Sequence, residues 1–198
     1  AWSNRLILYY LKNGRTNIAL YEAQKMLKEA QEEDDKTGLS RCYNIMSQIY
    51  TVKRLDSMAF EWQLKEIELT EKYDLENYNI SQTYSQISSY YINTNQPEKA
   101  LEALKKADAT AYSPTQKISV QLEYVNYYSK FGDMQAAEKI LNECKTAFDQ
   151  DKRLWSIKKR LYNIEYVYYL QSKQYPKALE AAKKQEAEEL NLSERDRK

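Results

Sequence analysis

The chain has 198 residues, 42% of them apolar and 30% charged, a balance that suits an ordinary globular protein with enough length for a continuous core. Its net charge of +1 provides no global field for drawing in nucleic acid or an anionic membrane surface. Histidine is absent, which removes the commonest general base and the usual zinc ligand, and Gly14, Gly38 and Gly132 are too scattered to form a phosphate-cradling loop. The composition therefore predicts a chain with no catalytic residues, no metal and no cofactor.

Five times a tyrosine is followed nine residues later by an alanine: Tyr10 and Ala19, Tyr50 and Ala59, Tyr91 and Ala100, Tyr128 and Ala137, Tyr169 and Ala178. The outer spacing is 40, 41, 37 and 41 residues. A fixed inner distance with an elastic outer one points to a rigid hairpin repeated along the chain.

In chain order, Leu6, Ile7 and Tyr10 begin a pattern of apolar residues three or four apart, which predicts an amphipathic helix (helix A) ending near the tyrosine. Ala19, Ala23, Met26 and Leu27 continue the period in a second helix (helix B), running about from Ile18 to Asp34. The same pair recurs around Tyr50, around Tyr84, Ile87 and Tyr91 with Ala100, Leu104 and Ala107, around Tyr124, Val125 and Tyr128 with Ala137, Leu141 and Cys144, and around Tyr169. Between the helices, Gly14 and Gly132 suit left-handed helix stops. Thr16, Asp56 and Asp133 suit N-caps, and Pro97 and Pro176 suit a first helical turn. The expectation is an all-α single domain over residues 1–198, with ten helices in five antiparallel pairs over approximately 1–35, 36–75, 76–112, 113–150 and 151–192. The five alanines and five tyrosines are expected to be buried where helix A meets helix B.

This layout resembles the tetratricopeptide repeat family (TPR) over roughly residues 2 to 190. The likeness rests on the aromatic near the end of helix A, the Gly132-Asp133 turn and the small residue early in helix B. It implies a right-handed superhelical α-solenoid. The chain departs from the family where a tryptophan is usual, seven residues before the tyrosine: Ser3, Tyr43, Tyr84, Gln121 and Tyr162 stand there. Its period also exceeds the usual ~34 residues. The simplest expectation is a longer helix B, as in the repeats of bacterial regulators.

The resemblance also implies a concave groove lined by helix A. Carried over, its positions are Arg41, Asn44 and Gln48 in repeat two, Gln82, Ser85, Ser89 and Asn93 in repeat three, Asn126, Ser129 and Lys130 in repeat four, and Arg160 and Asn163 in repeat five. Amides and hydroxyls can pair with the N–H and C=O of an extended main chain, so the expected partner is a protein or peptide segment, with Asn44, Asn126 and Asn163 as anchors. The lysine-asparagine clamp for a terminal carboxylate is not matched, because Asn4 and Leu8 occupy its positions.

Other features read more plainly. Cys42 and Cys144 are expected to be buried thiols, and the carboxylates of the Glu32-Glu33-Asp34-Asp35 run to sit at a solvated helix end. No carboxylate is placed in an apolar cleft by the sequence. Lys152, Arg153, Lys158, Lys159 and Arg160 form one basic run, which reads as a solvated face or as a ridge for an acidic partner. The polar tail from Lys183 to Lys198 suits a capping helix, whereas Leu6, Leu8 and Leu11 call for cover.

The chain reads as a segment of a longer protein, with no apolar run long enough for membrane insertion and no nucleic-acid role for this segment. The expected function is a peptide-binding module, the sensing or regulatory part of a bacterial signal-transduction or transcription regulator. The alternative is a structural or assembly scaffold of an envelope or secretion complex. A sensor ectodomain would favour the periplasm and other arrangements the cytoplasm.

Overall fold

The computed structural model describes the backbone of residues 2–195 and the side chains of residues 4–190. Ser3 and the end of the polar tail lie outside the described side chains. Ten α-helices account for most of the described chain: α1 (Trp2–Lys12), α2 (Thr16–Glu32), α3 (Lys36–Val52), α4 (Asp56–Tyr73), α5 (Ile80–Asn93), α6 (Pro97–Thr110), α7 (Pro114–Phe131), α8 (Met134–Gln150), α9 (Lys158–Gln171) and α10 (Tyr175–Arg195). A 3₁₀ turn, Lys152–Ile157, precedes α9. The added length is not confined to helix B, because α3 and α7, both A helices, have 17 and 18 residues.

One hairpin turn explains the nine-residue spacing. The Arg15 N–H donates to the Tyr10 carbonyl at 2.8 Å, Leu55 to Tyr50 at 3.0 Å, Gln96 to Tyr91 at 2.9 Å and Gln174 to Tyr169 at 2.8 Å. This is the six-to-one bond of a Schellman helix stop, and the residue before each donor has the left-handed backbone that the motif requires. Those residues are Gly14, Arg54, Asn95 and Lys173, with φ of 70°, 57°, 59° and 59°. The fourth hairpin closes more tightly, with Gly132 at φ 97° donating to the Tyr128 carbonyl at 3.0 Å. In all five the alanine N–H then donates at 3.0 Å to the carbonyl four residues earlier, at Arg15, Leu55, Gln96, Asp133 or Gln174. Each alanine is therefore the fourth residue of its helix, locked in register with the tyrosine.

Two expected caps shift by one position. Thr16 and Asp56 are the first helical residues, and the preceding Arg15 and Leu55 have no capping side chain to offer. Asp133 does cap α8, accepting the Ala136 N–H at 3.0 Å, while Pro97 opens α6 and Pro176 follows the first residue of α10. The acidic run does end a helix: Asp34 is left-handed and Asp35 caps α3 by accepting the Gly38 N–H at 2.9 Å.

The chain divides into two compact units, one reaching to Tyr90 and one starting at Tyr91. In the first, α1 packs on α2, α2 on α3 and α3 on α4, around Ile7, Ala19, Ala23, Ile45, Met46 and Ile49. In the second, α7 packs on α6, α8 and α9, and α9 on α10, around Leu122, Val125, Leu141, Phe148, Leu161 and Ile164. The five spaced alanines are all buried. The five tyrosines are half-buried instead of buried, because an amphipathic ring at the end of a helix packs its body and keeps its hydroxyl near water. Cys42 and Cys144 are buried free thiols.

Candidate functional site

In the first unit α1, α3 and the α4–α5 connection enclose a cleft of about 420 Å³, with Arg41, Asn44 and Gln48 on one wall, Asn77 and Asn79 on the other, and Asn4 and Leu8 from α1. Its floor is Glu66 of α4, only 1% exposed. A carboxylate this deep must be satisfied by donors or carry a large desolvation cost. Three segments supply them. Asn44 Nδ2 of α3 donates to Oε2 at 3.1 Å and Oε1 at 3.3 Å, Asn77 Nδ2 of the connection to Oε1 at 2.8 Å, and Thr83 Oγ1 of α5 to Oε2 at 3.1 Å. Burial nevertheless pushes the Glu66 pKa above the ordinary glutamate value, outweighing the hydrogen bonds from Asn77, Asn44 and Thr83.

Asn77 also holds the connection together. Its Oδ1 accepts the Asn79 N–H at 2.9 Å, and its carbonyl accepts the Ile80 N–H at 3.1 Å as α5 begins. Gln48 Nε2 donates to Asn44 Oδ1 at 2.7 Å, so the amide that serves Glu66 is fixed from behind. Arg41 and Tyr78 are exposed and form the rim, Tyr78 with 68% of its surface in solvent. The arrangement offers amide donors and acceptors fixed by a buried anion, beside an exposed tyrosine ring whose hydroxyl donates to Glu76 Oε2 at 3.5 Å.

The second unit repeats the chemistry with different helices. Glu123 of α7 is buried, accepting from Asn126 Nδ2 at 2.9 Å on Oε1 and from the Arg160 guanidinium of α9 at 2.8 Å on Oε2. Asn126 and Arg160 are thus both committed to one carboxylate. Glu165 of α9 is buried in turn and paired with Lys145 of α8 at 2.9 Å.

The remaining predicted groove residues differ in exposure. Gln82, Asn93, Lys130 and Asn163 are exposed and Ser89 is half-buried. Ser85 and Ser129 are withdrawn from the surface: both are buried, and Ser85 Oγ donates back to the Ser81 carbonyl at 3.0 Å within its own helix. The Ser129 hydroxyl is buried without a hydrogen-bond partner. Sequence reasoning missed Glu66, Asn77, Glu123 and Glu165. The available signal was Gln63, Glu66 and Thr70 continuing the three-to-four spacing of Ala59 along α4, a polar stripe where an apolar one would be expected.

The helices and turns define an all-α helical repeat of the TPR-like solenoid class. Crystal structures of similar fold include BtubC (BKLC) from P. vanneervenii, with TM-score 0.68 and 15% identity over 96% of this chain and 80% of that one. Two structures of kinesin light chain nearly identical TPR-like repeats from Podosopora anserina are also similar. They have TM-scores of 0.66 and 0.64 at 15% identity, and cover 97% and 96% of this chain and 95% and 94% of those chains. Residues 51–188, more than two thirds of the sequence, match the family model described as 26S proteasome subunit RPN7, and the chain belongs to that family. No curated protein sequence matches it. Among the described residues no helix is long and apolar enough to cross a membrane, and no cluster of metal-ligating side chains is present.

Proposed function

We propose that this chain is a non-catalytic module that binds an extended segment of a protein partner, and that it serves as the sensing or regulatory part of a bacterial signal-transduction or transcription regulator. The observation that carries the binding role is the first-unit cleft. Its lining carries the amides of Asn4, Gln48 and Asn79 beside Asn44 and Asn77, which the buried Glu66 fixes in place. This arrangement is suited to pairing with a peptide main chain, and the cleft's volume of about 420 Å³ fits a few residues of such a chain. The absence of histidine supports the non-catalytic reading, and the balanced charge supports a protein partner over nucleic acid. The regulatory role rests on the resemblance of these long, degenerate repeats to those of bacterial regulators.

Asn44 and Asn126 stabilise buried carboxylates, so replacing them would disturb the fold as well as any binding surface. The rim is the better target. Panning a random peptide display library on the purified chain should yield clones whose binding falls at least about tenfold in Arg41→Ala/Tyr78→Ala, at an unchanged melting temperature. Clones indifferent to both substitutions would exclude the cleft. A second reading, a scaffold in a larger assembly, is favoured by the family model, whose description is that of a subunit. It predicts a stable stoichiometric complex insensitive to the rim substitutions.

A further inference from the structure

The fold sorts the basic run into two groups. Arg153 donates to both Asp151 carboxylate oxygens at 2.7–3.0 Å, Lys159 donates to Glu189 at 2.8 Å, and Arg160 to Glu123 at 2.8 Å. Lys152 and Lys158 have no carboxylate partner among the described residues, and both place their ammonium over the same ring, 5.7 and 4.7 Å from the centroid of Trp155. Trp155 is held on the 3₁₀ turn with 49% of its surface exposed. Beside it opens a cleft of about 300 Å³ within the second unit, walled by Trp155, Lys158, Phe148 and Tyr162.

We propose that this face is a docking site for an acidic segment of a partner protein. An apolar side chain of the segment enters the cleft beside the indole, and a neighbouring carboxylate bridges Lys152 and Lys158. An ammonium resting on a ring face keeps donors free on its outer side, so a carboxylate adds to this arrangement without breaking a pair already made. A rigid, half-exposed tryptophan contributes apolar area at low entropic cost, as in the anchoring residues of protein interfaces. A nucleic-acid strand fits less well. Among the described residues of this face only Lys152 and Lys158 lack a carboxylate partner, too few to neutralise a run of phosphates. The site lies outside the first-unit cleft and does not depend on the reading given to that cleft.

The test follows the indole N–H resonances of the ¹⁵N-labelled chain, with the Trp155 signal identified by its loss in Trp155→Phe. The probes are acetyl-Glu-Phe-Glu-Phe-Glu-amide, its neutral counterpart acetyl-Gln-Phe-Gln-Phe-Gln-amide, and a ten-residue oligothymidylate. The acidic peptide should shift the Trp155 resonance and bind about fivefold more tightly than the neutral one, the scale expected of two exposed ion pairs. Lys152→Gln/Lys158→Gln should remove that difference while leaving the Trp62 resonance unmoved, and raising the salt should weaken the acidic peptide in the unsubstituted chain. Equal binding of the two peptides would reduce the site to an apolar patch. Tighter binding of the oligothymidylate would make it a nucleic-acid surface, and no shift with any probe at about millimolar concentration would leave no site, each overturning the proposal.

Discussion

Replacing Asn44 by alanine should destabilise the chain far more than replacing Asn163, although both are helix A asparagines predicted to anchor the same partner. Asn44 Nδ2 makes two contacts, 3.1 and 3.3 Å, to a carboxylate that is 1% exposed, and its Oδ1 holds Gln48. Hydrogen bonds to charged groups contribute about 1.5–3 kcal/mol, and these lengths place the pair at the lower end. With a few tenths more for the loss of Gln48, the cost is about 2 kcal/mol, or about 4–8 °C in melting temperature for a chain of this size. Asn163 is exposed, and its substitution should stay within about 0.5 kcal/mol. Thermal melts followed by circular dichroism at pH 7 would measure both. In a Glu66→Gln background the acceptor is neutral, so the Asn44→Ala cost should fall to about 1 kcal/mol. Equal losses for Asn44→Ala and Asn163→Ala, or a loss for Asn44→Ala that is unchanged by Glu66→Gln, would refute the claim that the amide is there to satisfy Glu66.

Because burial raises the Glu66 pKa above its unfolded value, the folded chain binds the proton more tightly. Its stability relative to Glu66→Gln should therefore rise as pH falls from 7 towards the free-glutamate value of about 4.3, as paired urea titrations would show. Ala100→Leu should cost about 1–3 kcal/mol in a urea melt, since that alanine is fully buried early in helix B. Arg54→Gly and Lys173→Gly should each stabilise by up to about 1 kcal/mol, because the left-handed backbone costs a side-chain-bearing residue about 1–2 kcal/mol and glycine returns part of that gain as unfolded-state entropy. Burial pushes the Cys42 thiol up to about 11 and the Cys144 thiol up to about 12, so neither should react with an aromatic disulfide reagent at pH 8 until the chain is unfolded.

The helices and their pairing were legible because the tyrosine and alanine are tied by backbone bonds that leave no freedom in their spacing. The turns were less legible. Only Gly14 and Gly132 announce a left-handed residue, while Arg54, Asn95 and Lys173 adopt the same backbone because the helices on either side impose it. The caps at Thr16 and Asp56 were misplaced by one residue for the same reason: the Schellman bond fixes the helix start, whether or not a capping side chain falls there. At the cleft, Arg41, Asn44 and Gln48 follow from the groove positions that the resemblance to tetratricopeptide repeats carries over to helix A, where periodicity marks only the face a side chain occupies. Periodicity says nothing about partners across the fold. Asn77 lies outside any helix, Glu66 on a neighbouring one, and their convergence depends on how α4 returns to α5. The burial of Ser85 and Ser129 is a packing outcome, since a serine is small enough to fit either an open face or a helix seam.

The 37-residue interval between Tyr91 and Tyr128 has a geometric consequence. Helix α6 has 14 residues where α4 has 18, a difference of four, close to the 3.6 residues of one helical turn. Removing a whole turn shortens the helix by about 6 Å but returns its side chains to nearly the same azimuth, so Ala100, Ala103, Leu104 and Ala107 still present one buried stripe. A single-residue change would swing that stripe by about 100° into solvent. Relatives of this chain should therefore differ from it by gaps of three or four residues inside helix B, and by none between the tyrosine and the alanine.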